Sequence, residues 1–516
     1  MKRSNQQEPD QNSGNVKVRA DLDSKFHKSY TGYRPLEQGT AVVDTITLPR
    51  TDEEVKSFFD QYVDARKPCK ILGVSPEYFP QDKLKPDRIA DYLPSDEILT
   101  VETKKDGGFG SGAKRVKMTF GQFMSKLNQE GEHNLYLTTQ YYEDDPNAVD
   151  SQAETDEEEK DQVLSDGDDS VTLQDMHDDF EQLEGAQEEE DVEDYEEFEM
   201  RLRELYQPPM TNLVKVLPET PDFLNYLIPQ QINIWIGATS TIYNKDSDNS
   251  WLSKFNPKKE KLGLGRNIPG GGSSSGLHHD HADNVYIPVS GRKRFTLFAP
   301  SDAAKMYTVG NIREIYHSGV IDYIPDSRAP AWRQLRDDGA ILAEVYKFLL
   351  ETSSDQEIND EERESYKKFI ESDEIQSERE LPSGLDPPSF SQIPPSVVHA
   401  DKIKDETLRD KIIKASKEIW PLFQSARRLT VELEPGEMLY LPAGWFHEVT
   451  SFGDSSKSSD VHIAVNYWFV PPTGHQVENV YDHKDVYWPK DFELTKKALA
   501  WARSEEGEDD DEEEEE

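Results

Sequence analysis

Two segments, Gly276-Leu277-His278-His279-Asp280 and the distant Pro442-Ala443-Gly444-Trp445-Phe446-His447, constrain this chain more than any others. On a β-strand, residues i and i+2 share a face, so His278 and Asp280 can bite one metal ion together. His447 lies 169 residues further on, and it can join them only if a second strand returns beside the first. The surrounding composition allows that. Residues 284–289 and 292–298 read as strands around Ser290-Gly291, a hairpin with a two-residue turn. Residues 231–237 alternate cleanly, and 428–433, 436–442 and 462–469 are equally β-rich. Short strands with tight turns on both sides of the ligand positions predict an antiparallel barrel or sandwich, closed to hide its edges.

Two imidazoles and one carboxylate on a single face leave about three positions open on an octahedral ion, the donor set of non-haem Fe(II) centres. A second register, His281-Ala282-Asp283, competes with the first. In the first register His279 and His281 fall on the opposite strand face, as supporting or solvated residues. Trp235 and Trp445 read as core packing.

Charge divides the chain. Its formal net charge is −45, yet residues 143–200 hold 27 Asp/Glu against one basic residue, Lys160, and residues 505–516 hold 11 acidic residues and no basic one. These stretches supply −37, which leaves −8 for the other 446 residues. The bulk is a near-balanced globular sequence, and the two acidic tracts are expected to be disordered. Such acidity disfavours nucleic acid as a partner and suits a basic protein client. The single cysteine, Cys69, permits no disulfide within the chain. No apolar leader and no run of about 18 apolar residues is visible. The expectation is a cytoplasmic or nuclear protein that does not engage a membrane.

The remaining segments fall into order around the strands. Residues 1–34 are polar. Thr51-Asp52-Glu53-Glu54 and Thr119-Phe120-Gly121-Gln122 fit capping boxes heading helices. Residues 68–74, 98–103 and 135–142 are β-rich. Residues 244–275 form an insertion, basic at first and ending in a Gly/Ser run that reads as a hinge. Residues 326–400 form a second insertion. It is helical where Leu342, Val345, Phe348 and Leu349 make a stripe, and it closes in an extended proline-rich linker, 387–395. Residues 486–504 read as a C-terminal helix before the acidic tail.

Together, Leu277–Asp280, Asp283-Asn284-Val285-Tyr286, Gly291-Arg292-Lys293-Arg294-Phe295, 436–447 and Val465-Asn466-Tyr467-Trp468 resemble the JmjC-domain, cupin-type Fe(II)/2-oxoglutarate oxygenases. Within them they are similar to the small hydroxylase branch that includes factor-inhibiting-HIF and the JmjC lysyl hydroxylases. The resemblance implies a mainly β fold: a double-stranded β-helix, or jelly-roll cupin barrel, with helical additions and disordered insertions. Its N-terminal part would occupy 35–142 and its catalytic core 201–485. It further implies Fe(II) on His278, Asp280 and His447, and 2-oxoglutarate as co-substrate. Lys293, fifteen residues after His278, would pair with the distal carboxylate; from His281 the spacing would be twelve. Ser275 and Tyr136 would assist there, and Asn284 and Asn466 would line the pocket. The implied activity is hydroxylation of a protein side chain, with a lysyl residue as one candidate, and the acidic tracts point to a basic histone or ribosome or translation-factor client. Histone lysine demethylation, tRNA-base hydroxylation and non-catalytic binding of a histone-like client are the alternatives.

Overall fold

The computed structural model describes residues 19–35 (without 20 and 27), 42–104, 107–109, 115–127, 129, 134–140, 193–239, 249–354, 358–379, 385–454 and 460–504. The strands, in chain order, are β1 (Asp44–Thr47), β2 (Cys69–Leu72), β3 (Ile98–Thr103), β4 (Arg115–Thr119), β5 (Leu135–Leu137), β6 (Pro229–Ala238), β7 (Ser273–His278), β8 (Asp283–Ser290), β9 (Arg292–Phe298), β10 (Ile312–Ile315), β11 (Ile321–Tyr323), β12 (Leu429–Leu433), β13 (Glu437–Leu441), β14 (Phe446–Phe452) and β15 (Val461–Phe469). Nine of them form one sheet in the order β1-β2-β13-β8-β15-β6-β5-β3-β4, and four form a second, β12-β9-β14-β7. The expected two-sheet cupin architecture with helical additions is therefore present.

Burial explains the strand sequences. β15 is flanked by β8 and β6 and buried at all nine positions, so it reads as nearly continuous apolar sequence. β12, at an edge, keeps the alternation of a half-wet strand: Leu429, Val431 and Leu433 are buried while Thr430 and Glu432 are exposed. Between the sheets, Tyr286, Leu439 and Ala464 of the large one meet Phe295, Leu297 and Val449 of the small one. A second apolar layer covers the outer face of the large sheet, where Ile232, Ile234 and Ile236 pack with Phe58 and Phe123. A third lies behind the small sheet: Leu277, Phe298 and Phe446 pack with Val397 and Ile412. Phe26 and Tyr30 belong to this layer, so the described part of the polar N-terminal segment is anchored there. Both capping boxes form, with Glu54 N donating to Thr51 Oγ1 and Gln122 N to Thr119 Oγ1, each at 3.2 Å. Among the described residues no helix is long and apolar enough to cross a membrane.

Four expectations are corrected. β8 and β9 are not a hairpin. β8 pairs with β13 and β15, and β9 with β12 and β14. Gly291 turns the chain from one sheet to the other at φ +74°, where a Cβ would meet Phe452 O at 2.4 Å. Alternation alone does not distinguish a hairpin from such a corner. The Gly/Ser run is no hinge either: Ser273, Ser274 and Ser275 are buried in β7. The proline-rich stretch is not a free linker, since Phe390 is buried and Ser391 N donates to Leu277 O at 2.8 Å. Finally, the end of the first acidic tract is ordered. Glu193–Leu205 is a helix packed on the C-terminal helix Tyr487–Ala502, with Arg201 bonded to Asp491 and the Phe198 ring against Trp501. Its apolar stripe of Phe198, Leu202 and Leu205 was hidden by the surrounding charge. Residues 143–192 and the tail 505–516 lie outside the described residues.

Candidate active site

Sheet register assembles the three ligand candidates. β14 returns antiparallel beside β7 with His447 directly opposite His278, and Asp280 follows just past the end of β7. His278 Nε2 lies 3.7 Å from Asp280 Oδ1 and His447 Nε2 lies 3.5 Å from Asp280 Oδ2. The opposite ring nitrogens face backbone carbonyls: His278 Nδ1 meets Gly276 O at 3.1 Å and His447 Nδ1 meets Trp445 O at 2.9 Å. A carbonyl only accepts, so each Nδ1 carries the proton and each Nε2 presents a lone pair. Two lone pairs and a carboxylate thus converge on one small space. They repel one another unless a cation sits among them, which is the donor set a divalent metal needs. Burial, reinforced by the neighbouring His447, holds His278 well below the ordinary imidazole range, so it is neutral and ready to ligate.

The competing register is taken up by structure. Asp283 is fully buried and accepts from Arg66, from Tyr440 Oη at 2.6 Å and from Ala443 N at 2.9 Å. His281 Nε2 is 3.0 Å from Ile321 O, and His279 Nε2 is 2.6 Å from Tyr323 Oη. Neither histidine is solvated. Phe390 stacks on the His278 ring, with centroids 4.8 Å apart and planes 8° from parallel. The sequence alone places this phenylalanine in a linker, because nothing local connects it to the triad.

The triad opens on a small cavity of about 60 Å³ that is lined by Tyr136, Ser275, Asn284 and Asn466. It is also lined by Phe109, Trp235 and Trp468. Phe109 stacks on Tyr136 at 3.6 Å. Ser275 Oγ accepts from Val449 N and donates to Gly276 O. Trp468 keeps its indole N–H buried without a hydrogen-bond partner. Lys293 has no exposed surface. Its Nζ reaches Ser451 Oγ at 2.8 Å and His462 Nδ1 at 3.3 Å, and its ammonium lies 5.9 Å from the Tyr136 ring centre. Among the described residues no carboxylate pairs with it. Burial and the charge of Lys104 push Lys293 well below the usual lysine range. An anion brought to this amine would favour its protonated form and pair with it, as a dicarboxylate co-substrate would.

Over residues 55–475 the sequence matches the cupin-like domain family. The chain belongs to that family. Among its cupin-like relatives, JmjC domain-containing protein 4 of Schizosaccharomyces pombe is 28% identical, over 91% of this chain and 92% of its own length. The human bifunctional peptidase and (3S)-lysyl hydroxylase JMJD7 is 25% identical over 37% of each chain. The lysine-specific demethylase JMJ32 of Arabidopsis thaliana is 26% identical, over 43% of this chain and 46% of its own. JmjC-type cupins are generally Fe(II)/2-oxoglutarate oxygenases, and the donor set here fits that chemistry.

Proposed function

We propose that this cupin is an Fe(II)- and 2-oxoglutarate-dependent oxygenase that hydroxylates a protein side chain, lysyl in the first instance. The convergence of His278 Nε2, His447 Nε2 and the Asp280 carboxylate, each imidazole locked by a backbone carbonyl, carries the reading. Fe(II) with 2-oxoglutarate and O2 supplies, when bound, the oxidising power to place one oxygen atom into an unactivated C–H bond.

The protein's own part is positioning. His278, Asp280 and His447, which line the cavity, would hold Fe(II) there. Lys293 would pair with the far carboxylate of the co-substrate, and Tyr136 and Ser275 would assist. Asn284 holds Asp280 Oδ2 with an amide N–H at 3.2 Å. The aromatic walls, Phe109, Trp235 and Phe295, keep water from the reacting centre. A protein substrate accords with the net charge of −45, which repels polyanions.

The test is conversion of 2-oxoglutarate to succinate by purified protein with Fe(II) under air, with candidate lysine peptides read by mass for a gain of one oxygen. Succinate formation that needs Fe(II) and vanishes in Asp280→Ala supports the reading. No metal binding and no turnover by the wild type refutes it.

A further inference from the structure

We infer that Trp235 is a positioning residue for Asp280, acting through a hydrogen-bonded chain that crosses three neighbouring strands. The inference rests on the oxygenase reading above and extends it to a residue that does not touch the metal ligands. Trp235 Nε1 donates to Asn466 Oδ1 at 2.7 Å. Asn466 Nδ2 donates to Asn284 Oδ1 at 3.2 Å. Asn284 Nδ2 donates to Asp280 Oδ2 at 3.2 Å. The three residues sit on β6, β15 and β8, which are adjacent in the large sheet, and all three line the cavity.

Register explains why the chain can exist. Trp235 lies opposite Ala464, and Asn466 opposite Tyr286. Residues of equal parity share a face, so Trp235, Asn466 and Asn284 all project inward. Direction explains why Trp235 matters. An indole N–H can only donate, whereas an amide can turn over and present either end. Donation by Trp235 makes the near end of Asn466 its oxygen and the far end its NH2. That NH2 in turn fixes the oxygen of Asn284 toward Asn466 and its NH2 toward Asp280. A chain started by a fixed donor therefore ends in a donor aimed at a carboxylate, and the aligned amide dipoles strengthen one another in a low-dielectric setting. With the indole N–H removed, both amides can flip. Asn284 then presents an oxygen to Asp280, and the carboxylate loses its orienting bond and meets a repelling lone pair.

Outer partners of metal ligands typically contribute 10–100-fold in affinity. Trp235→Phe keeps the aromatic bulk and deletes only the N–H, so its effect reports the chain rather than the packing. The experiment uses the full-length protein stripped of metal and titrated with Co(II) as a probe for Fe(II). It follows both the affinity and the visible absorption bands, whose position and intensity report the ligand geometry. Asn284→Ala should weaken Co(II) binding by about tenfold or more. Trp235→Phe should weaken it by about three- to tenfold and shift the bands in the same sense. Trp235→Phe should add nothing in the Asn284→Ala background, because the chain is already cut there. Wild-type affinity and unshifted bands in Trp235→Phe overturn the inference, as do effects of the two substitutions that simply multiply. A wild-type protein that binds no Co(II) refutes the oxygenase reading itself, and the inference falls with it. Thermal unfolding of the metal-free variants checks that each is folded.

Discussion

Replacing Asp283 by asparagine separates the two possible metal registers by their energetics. Asp283 accepts four hydrogen bonds, two from Arg66 and one each from Tyr440 Oη and Ala443 N, and it has no exposed surface. At the 2.9 Å of the Arg66 Nη1 contact, with an effective dielectric of about 20, the pair attracts by ~6 kcal/mol. Most of that is offset by desolvating two charges, so the intact pair contributes little net stability. Breaking it is different, because it strands a buried guanidinium, at about 3–5 kcal/mol. Asp283→Asn should therefore lower the stability of the metal-free protein by about that much in chemical denaturation. The double variant Arg66→Met/Asp283→Asn should recover most of the loss, since the uncompensated charge is gone. Asp280→Asn should do the opposite: the metal-free fold stays within about 1 kcal/mol of wild type, and metal binding is lost. The reasoning is refuted if Asp283→Asn changes stability by less than about 1 kcal/mol. It is equally refuted if a well-folded Asp283→Asn protein loses the metal while Asp280→Asn retains it.

Three further outcomes are expected. Lys293→Ala should raise the 2-oxoglutarate requirement by roughly 30-fold or more, as for a truncated buried charge partner, with metal affinity unchanged; an unaltered requirement would assign Lys293 to structure alone. Phe390→Ala removes the ring stacked on His278 and should weaken metal binding by about three- to tenfold, from a stacking worth of ~0.5–1.5 kcal/mol, read by Co(II) titration against wild type. Metal-free protein should lose stability as pH falls below 6.5, because burial depresses His279, His462 and His281, the last to about 4, and the unfolded chain then binds more protons than the folded one. The loss attached to His281 should run from 6.5 down to about 4, and His281→Gln should flatten that part of the profile; an unchanged slope would show that another group governs it.

The triad was legible in the sequence because its spacing carries geometry: His278 and Asp280 stand two residues apart, and the only economical way to add His447 is a returning strand. Lys293, Tyr136, Ser275, Asn284 and Asn466 came from the family resemblance, and all except Lys293 line the cavity. What escaped was set by tertiary contact. Phe390 belongs to a proline-rich stretch with no periodicity, and only the fold lays it on His278. Trp235 was read as core, and it does sit on a core strand; its N–H became meaningful only with Asn466 two strand positions away from its cross-strand partner. The β8–β9 connection was misjudged because a Ser-Gly turn between two apolar runs serves a hairpin and an inter-sheet corner alike. Tyr440 and Arg66, which occupy Asp283, lie 157 and 217 residues from it, beyond the reach of any local pattern.

The direct pairing of His278 with His447 also dictates when the centre can exist. A ribosome must deliver 169 residues beyond His278 before His447 emerges, and β14 must then slot between β9 and β7, strands made long before. Those two strands face an open lane until then, with unpaired backbone groups on both sides of it. A metal held by this triad would thus report that the small sheet has closed in the correct register. A slip of one residue would turn His447 to the far face. The same arrangement frees the intervening stretch. A loop that joins two strands in that stretch can lengthen or shorten without moving a ligand, so long as β8, β9, β12 and β13 keep their places in the two sheets.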